Sequence, residues 1–195
     1  MKKVLHNLDV FIESEWNQKV QHYFQTAKTV FVENPREKDF EGMKVNLYSI
    51  PDLKGINVMA APDFGVVLSD NKYLIIDRKT GQEKMDTDTI SEQLKIYALK
   101  LLLKSHLDIE KTDMEVYEVY LPSLHQYGGK VEKADIDHII EKLKEDVEYQ
   151  KQFLVDGDII KNEPLPSVDF PRTKSAKKCA SCTFRKVCED LKSFE

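Results

Sequence analysis

Apolar residues at Val4, Leu8, Phe11, Ile12, Val20 and Phe24 recur at helical spacing and predict an amphipathic helix over residues 4–24. Pro35 and the charged run Arg36-Glu37-Lys38-Asp39 then mark a loop. Strand-like segments follow at about 43–50, 56–68 and 72–79, separated by Pro51-Asp52 with Gly55 and by Ser69-Asp70-Asn71. Residues 89–106 are strongly helical, Met114–Leu121 alternates enough to be a fourth strand, and Tyr127-Gly128-Gly129 is expected to break the chain. A second amphipathic helix is predicted over Ala134–Leu154, with Ile136, Ile139, Ile140, Leu143, Val147 and Leu154 on one face. Beyond Gly157 the chain turns loop-like, with Pro164, Pro166 and Pro171. The order α-β-β-β-α-β-α predicts a mixed sheet with helices packed on it.

One strand ends oddly. Tyr73-Leu74-Ile75-Ile76 runs into Asp77, Arg78 and Lys79 before reaching the turn signal Thr80-Gly81. If the second and third strands form a hairpin turning near Asp70, residues whose numbers sum to about 140 face each other, which sets Asp63 opposite Asp77, or one step away if the loop is four residues long. Directly opposed residues hold their Cβ atoms about 4.5–5.5 Å apart, and two carboxylates there repel by about 3 kcal/mol at an effective dielectric of about 20. A shared proton, a basic neighbour or a divalent cation must offset this. Lys79 lies two residues from Asp77, on the same face. Such an Asp-Asp-Lys cluster suits an oxygen-ligated Mg²⁺ or Mn²⁺; a surface salt bridge on a hairpin is the plainer alternative.

The helix that follows adds a polar stripe. At about 100° per residue, Gln93, Tyr97, Lys100 and Lys104 fall within about a 60° arc, while Leu94, Ile96, Ala98, Leu99, Leu101, Leu102 and Leu103 fill the rest. These side chains suit phosphate oxygens; simple exposure to water is the alternative.

The ordered set Pro62-Asp63, Asp77-Arg78-Lys79-Thr80-Gly81 and Gln93 with Tyr97, followed by three late cysteines, resembles the PD-(D/E)XK nuclease superfamily from about residue 40 to the end. It is most similar to the RecB-like branch, which includes CRISPR-associated exonucleases with a C-terminal cysteine motif. The resemblance implies a restriction-endonuclease-like α/β core, with a mixed central sheet of about four strands flanked by helices. It implies Asp63 and Asp77 as metal ligands together with the backbone carbonyl of Arg78, and Lys79 as the group that orients or activates the attacking water. Gln93 and Tyr97 match the branch's helical Gln-x-x-x-Tyr motif near the active site and the DNA strand, where Lys100 and Lys104 join them as DNA-binding candidates. The implied reaction is metal-assisted, exonuclease-like phosphodiester hydrolysis of DNA. Repair, recombination or defence would be its setting, with a larger nuclease–helicase or CRISPR-type assembly as partner. A catalytically weak DNA-binding or partner-docking module on the same fold is the competing expectation.

The family also carries a His or Glu on a helix before the first strand. His6, Glu15 and His22 are the candidates; Glu15 lies about 20° from Val4 on the predicted apolar face, unusual for a carboxylate. Cys179, Cys182 and Cys188 form a C-x2-C-x5-C pattern and are the only cysteines. Three thiols cannot close into disulfides, which points to a metal or cluster instead; a reduced tail with no metal is the alternative. In the branch, three such cysteines join one upstream to hold a [4Fe–4S] cluster. No upstream cysteine exists here, so a cluster or a Zn²⁺ site requires another fourth ligand.

Length and charge add bounds. At 195 residues, one domain with an appendage is expected: residues 1–160 as the nuclease domain and 161–195 as a cysteine-containing tail packed on it. Charged residues make up 32% and the net charge is −5, so the whole-molecule field does not attract nucleic acid. The segment from Arg172 to Lys192 is locally basic. The N-terminus lacks an apolar signal region and no later run spans a bilayer, which predicts a cytoplasmic protein without membrane partners.

Overall fold

The computed structural model describes residues 9–32, 44–81, 83, 90–121, 123–166 and 175–183. A helical turn over 9–12 ends at Ser14, and α1 (Glu15–Thr26) begins immediately after it. The predicted single helix over 4–24 is therefore interrupted within its described part, and Ser14 is the cause. Its hydroxyl donates to the Phe11 carbonyl at 2.6 Å and accepts from the Asn17 amide at 3.2 Å. One side chain thus closes one turn and caps the next.

Among the described residues seven strands follow: β1 (Thr29–Val32), β2 (Lys44–Asn46), β3 (Asn57–Met59), β4 (Phe64–Ser69), β5 (Lys72–Lys79), β6 (Asp113–Tyr120) and β7 (Gln126–Lys130). The main sheet has five strands in the order β1-β4-β5-β6-β7, where about four were expected, and β2-β3 form a separate antiparallel pair. The segment predicted over 43–50 keeps only three strand residues, and that predicted over 56–68 divides into β3 and β4. Leu47 and Ile50, which looked like strand continuations, are instead buried in turns between β2 and β3, together with Leu53.

β4 and β5 are joined at Asp70-Asn71, a turn pair that suits a tight hairpin, with a bulge between Val67 and Ser69. β5 and β6 are parallel and are connected through α2 (Glu92–Lys104), whose N-cap is Ser91. Side chains alternate across this sheet. On one face Phe64, Val66, Leu74, Ile76 and Val119 bury against Trp16, Val20 and Tyr23 of α1. The other face carries Ile75, Asp77, Val116 and Glu118 and is covered by α2, whose Leu94, Tyr97, Ala98, Leu99 and Leu102 are buried.

Two edge strands went unread in the sequence. β1, Thr-Val-Phe-Val, pairs antiparallel with β4 and lays the Phe31 ring over Gly65, where a Cβ would sit 2.0 Å from Phe31 Cζ. Glycine at 65 makes room for the ring. At Gly128 and Gly129 the expected break is instead the middle of β7, paired with β6. Gly128 has φ +135°, and a Cβ there would meet the Val116 carbonyl oxygen at 2.0 Å. Gly128→Ala should therefore destabilise the protein by at least about 1–3 kcal/mol. Urea unfolding would show this as a lowered midpoint at an unchanged slope; an unchanged midpoint would mean that β7 relaxes freely.

The chain divides into two compact units, residues 1–144 and 145–195. α3 (Lys133–Lys151), predicted over 134–154, runs across the division. In the second unit the Val155 amide bonds to the Glu163 carbonyl at 2.8 Å, and Leu165 to Phe153 at 2.9 Å. A short helix α4 (Ala176–Ala180) is capped by Ser175. Among the described residues no helix is long and apolar enough to cross a membrane.

Candidate active site

The hairpin register sets the two aspartates together. The ladder ends with Phe64 opposite Ile76, and Asp63 and Asp77 are the next residues on the two arms; the turn alone, with Ser69 opposite Lys72, would offset them by one residue, and the bulge between Val67 and Ser69 removes that offset. Asp63 Oδ2 accepts the backbone amide of Arg78 at 2.7 Å, and Arg78 Nε lies 3.6 Å from the same oxygen. Both contacts fall on Oδ2, which leaves Oδ1 for a further partner. The Arg78 guanidinium sits 6.0 Å from the centre of the Phe11 ring, within cation–π range.

Asp77 is buried, with 4% of its surface exposed. It closes a ring of four side chains drawn from β5 and α2. Asp77 Oδ2 lies 2.5 Å from Lys79 Nζ; Lys79 Nζ donates to Gln93 Oε1 at 2.6 Å. Gln93 Nε2 donates to the Tyr97 hydroxyl at 2.6 Å, and that hydroxyl donates to Asp77 Oδ1 at 3.3 Å. Gln93 and Tyr97 can both reach because they stand four residues apart on one helix face.

Burial governs the charges. It pushes the Asp77 carboxyl above its ordinary range; Lys79 pulls it back, and Asp63 pushes it up again. The Tyr97 phenol is pushed up to about 12, first by burial and then, after an opposing bond from Gln93, by the charge of Asp77. Tyr97 is therefore a proton donor at any physiological pH.

The donor set fits a hard divalent cation. Asp77 Oδ2 is buried and, although an ion pair with Lys79, makes no hydrogen bond of acceptable geometry. A desolvated carboxylate oxygen whose one near partner is an ammonium keeps a lone pair that such a cation can bind. Among the described residues no three His, Cys, Asp or Glu side chains gather at one point. Among the described residues, backbone oxygen such as the Arg78 carbonyl, with water, is what could complete the set.

Along the polar stripe of α2, Gln93 is exposed, Tyr97 is buried and Lys100 is half-buried. Lys100 donates to the Ala60 carbonyl at 2.5 Å, and burial, with Lys104 nearby, lowers its amine. That bond steadies the chain just before Asp63. Lys104, in the last turn, is exposed.

Glu15 does not lie on an apolar face. It is exposed in the first turn of α1, because the break at Ser14 resets the helical phase counted from Val4. An acidic residue there suits the helix N-terminus. His22 is exposed beside Tyr23, and His6 lies outside the described residues. Cys179 is half-buried on α4 and Cys182 is exposed three residues on; Cys188 and most of the basic segment from Arg172 to Lys192 lie outside the described residues. One functional candidate escaped the sequence altogether. Glu118, buried on β6, looked like an ordinary polar position in an alternating strand; only its register with Asp77 gives it meaning.

A model of the PD-(D/E)XK nuclease superfamily matches residues 3–189. No curated protein matches the chain.

Proposed function

The chain belongs to the PD-(D/E)XK nuclease superfamily, and from that premise we propose that it is a Mg²⁺- or Mn²⁺-dependent, exonuclease-like DNA nuclease of the RecB-like branch. The observation that carries this is the closed Asp77–Lys79–Gln93–Tyr97 ring beside Asp63, with one buried carboxylate oxygen lacking a hydrogen bond.

Asp63, Asp77 and the Arg78 carbonyl would hold the cation. When bound, it would supply Lewis-acid stabilisation of charge building on the phosphoryl oxygens. The chain's own residues do the rest. Asp77 and Gln93 take up two directions around Lys79 Nζ, and the ammonium's remaining N–H faces the attacking water or the scissile phosphate. Gln93, fixed in turn by Tyr97, holds that amine at one position, so that water is oriented rather than diffusing. The exposed Lys104 is suited to the DNA backbone. Cys179, Cys182 and Cys188 would bind a [4Fe–4S] cluster or Zn²⁺ once a fourth ligand is supplied.

The test is cleavage of linear and circular, single- and double-stranded DNA with Mg²⁺, Mn²⁺ or EDTA. Cutting that needs metal is expected, with linear substrates preferred. DNA binding without cutting under either metal would overturn the nuclease and favour a docking module. Iron and zinc analysis of the anaerobically purified protein checks the cysteines, with about one cluster or one zinc per chain expected.

A further inference from the structure

Glu118 stands in register with Asp77 across the parallel β5–β6 pair, so both side chains point to the face that α2 covers. Only 4% of Glu118 is exposed. A buried carboxylate is unfavourable unless its oxygens are bonded, and an apolar residue on the same face as Val116 would pack more easily. Its bonds show what it holds. Oε1 accepts the Ser91 hydroxyl at 2.6 Å, and Oε2 accepts the Tyr120 hydroxyl at 3.4 Å. With both oxygens engaged by the protein, Glu118 is poorly placed to serve as a cation ligand.

Ser91 is the N-cap of α2. Its oxygen accepts the Leu94 amide at 3.3 Å while its proton goes to Glu118. An amide–hydroxyl–carboxylate relay therefore ties the first turn of α2 to the strand beside the active one. Two residues beyond Ser91, Gln93 receives Lys79 at 2.6 Å.

We propose that Glu118 is a positioning residue: through Ser91 it fixes the first turn of α2, and through Gln93 the ammonium of Lys79. Asp77 holds that ammonium from its own strand; Glu118 holds it from the neighbouring strand by way of the helix. Ser14 shows that an N-cap serine needs no buried carboxylate, since its proton goes to a backbone carbonyl instead. The Ser91–Glu118 bond is thus an addition to ordinary capping, at the helix start that carries Gln93.

This inference rests on the nuclease reading, and the experiment separates the two. Steady-state DNA cleavage with Mg²⁺ would be compared for wild type, Glu118→Ala, Glu118→Gln, Gln93→Ala and the double Glu118→Ala/Gln93→Ala. Glu118→Ala should lower kcat by about 10- to 100-fold, the scale of a small misplacement of a reacting group, with KM for DNA little changed. Glu118→Gln keeps a carbonyl oxygen for Ser91 and should recover most of that loss. The double variant should be no slower than the worse single, because both act through one amine. If Glu118→Ala does not fold, Ser91→Ala takes its place in the same comparison. Losses that multiply in the double variant, or Glu118→Gln as impaired as Glu118→Ala, would overturn the clamp while leaving an active nuclease. Wild-type protein inert on every DNA would overturn the nuclease reading, and the clamp's catalytic purpose with it.

Discussion

Lys79→Ala should reduce metal-dependent DNA cleavage by at least about 100-fold, the lower end of what a positioned proton-transfer or water-orienting group contributes. The reason lies in how little freedom this lysine has. Asp77 Oδ2 at 2.5 Å and Gln93 Oε1 at 2.6 Å hold its amine at one point, and its side chain is only 27% exposed. Alanine removes the amine and leaves Gln93 with no donor to meet. Lys79→Arg should rescue poorly, since a planar guanidinium cannot occupy the place of a compact ammonium. The same substitution has a thermodynamic signature. Without Lys79 the buried Asp77 loses its counter-charge, so melting without metal should fall, and Mg²⁺ or Mn²⁺ should restore more of it than in wild type. Circular dichroism would establish that the fold persists. Cleavage within a few-fold of wild type would remove Lys79 from the mechanism.

Asp77→Asn should abolish cleavage and, in the absence of metal, raise the melting temperature. Burial sets the direction. The carboxyl is harder to ionise folded than unfolded, despite Lys79. Its raised folded pKa means that its favourable contribution is complete below the unfolded pKa and is lost as pH rises through the folded one. Above its folded pKa the protein therefore carries the penalty of a charged, desolvated carboxylate next to Asp63. Asparagine of the same shape removes that penalty, and a chain of this length gains about 2–4 °C for each kcal/mol recovered. The metal response should reverse. A cation at about 100 times its Kd adds about 2.7 kcal/mol to wild type, roughly 5–11 °C on the same scale, and should add little to the variant. Differential scanning fluorimetry with and without Mn²⁺ reads both effects. A variant less stable than wild type without metal would make the carboxylate pair structural instead.

The approach of these carboxylates was legible to within one residue because a hairpin makes register a matter of counting. Asp70-Asn71 marks the turn, and the bulge between Val67 and Ser69 then decides that Phe64 stands opposite Ile76. α2 was legible because Ser91 and a run of apolar residues mark its start and extent. The misreadings have physical causes too. Gly128 suggested a break, but it lies in β7 where the Val116 carbonyl approaches too closely for any side chain. Ser14 looked like one polar position in a helix, yet its hydroxyl ends one turn and begins another. Glu15 then lost the apolar face it had seemed to occupy.

Local chemistry carried the sequence as far as a β4–β5 hairpin bearing Asp63, Asp77 and Lys79, a helix bearing Gln93 and Tyr97, and a sheet with helices on it. Turn chemistry, capping and periodicity depend on neighbours within a few residues, so one chain suffices to read them. Tertiary structure alone decided the edge strands β1 and β7, the burial of Tyr97 within the polar stripe on α2, and the ring that joins Asp77 to Tyr97 over 20 residues. It also placed Glu118 beside Asp77, a relation set by parallel pairing across a helical crossover. Parallel register depends on how α2 packs between its strands, and that packing is written in no single segment of the chain.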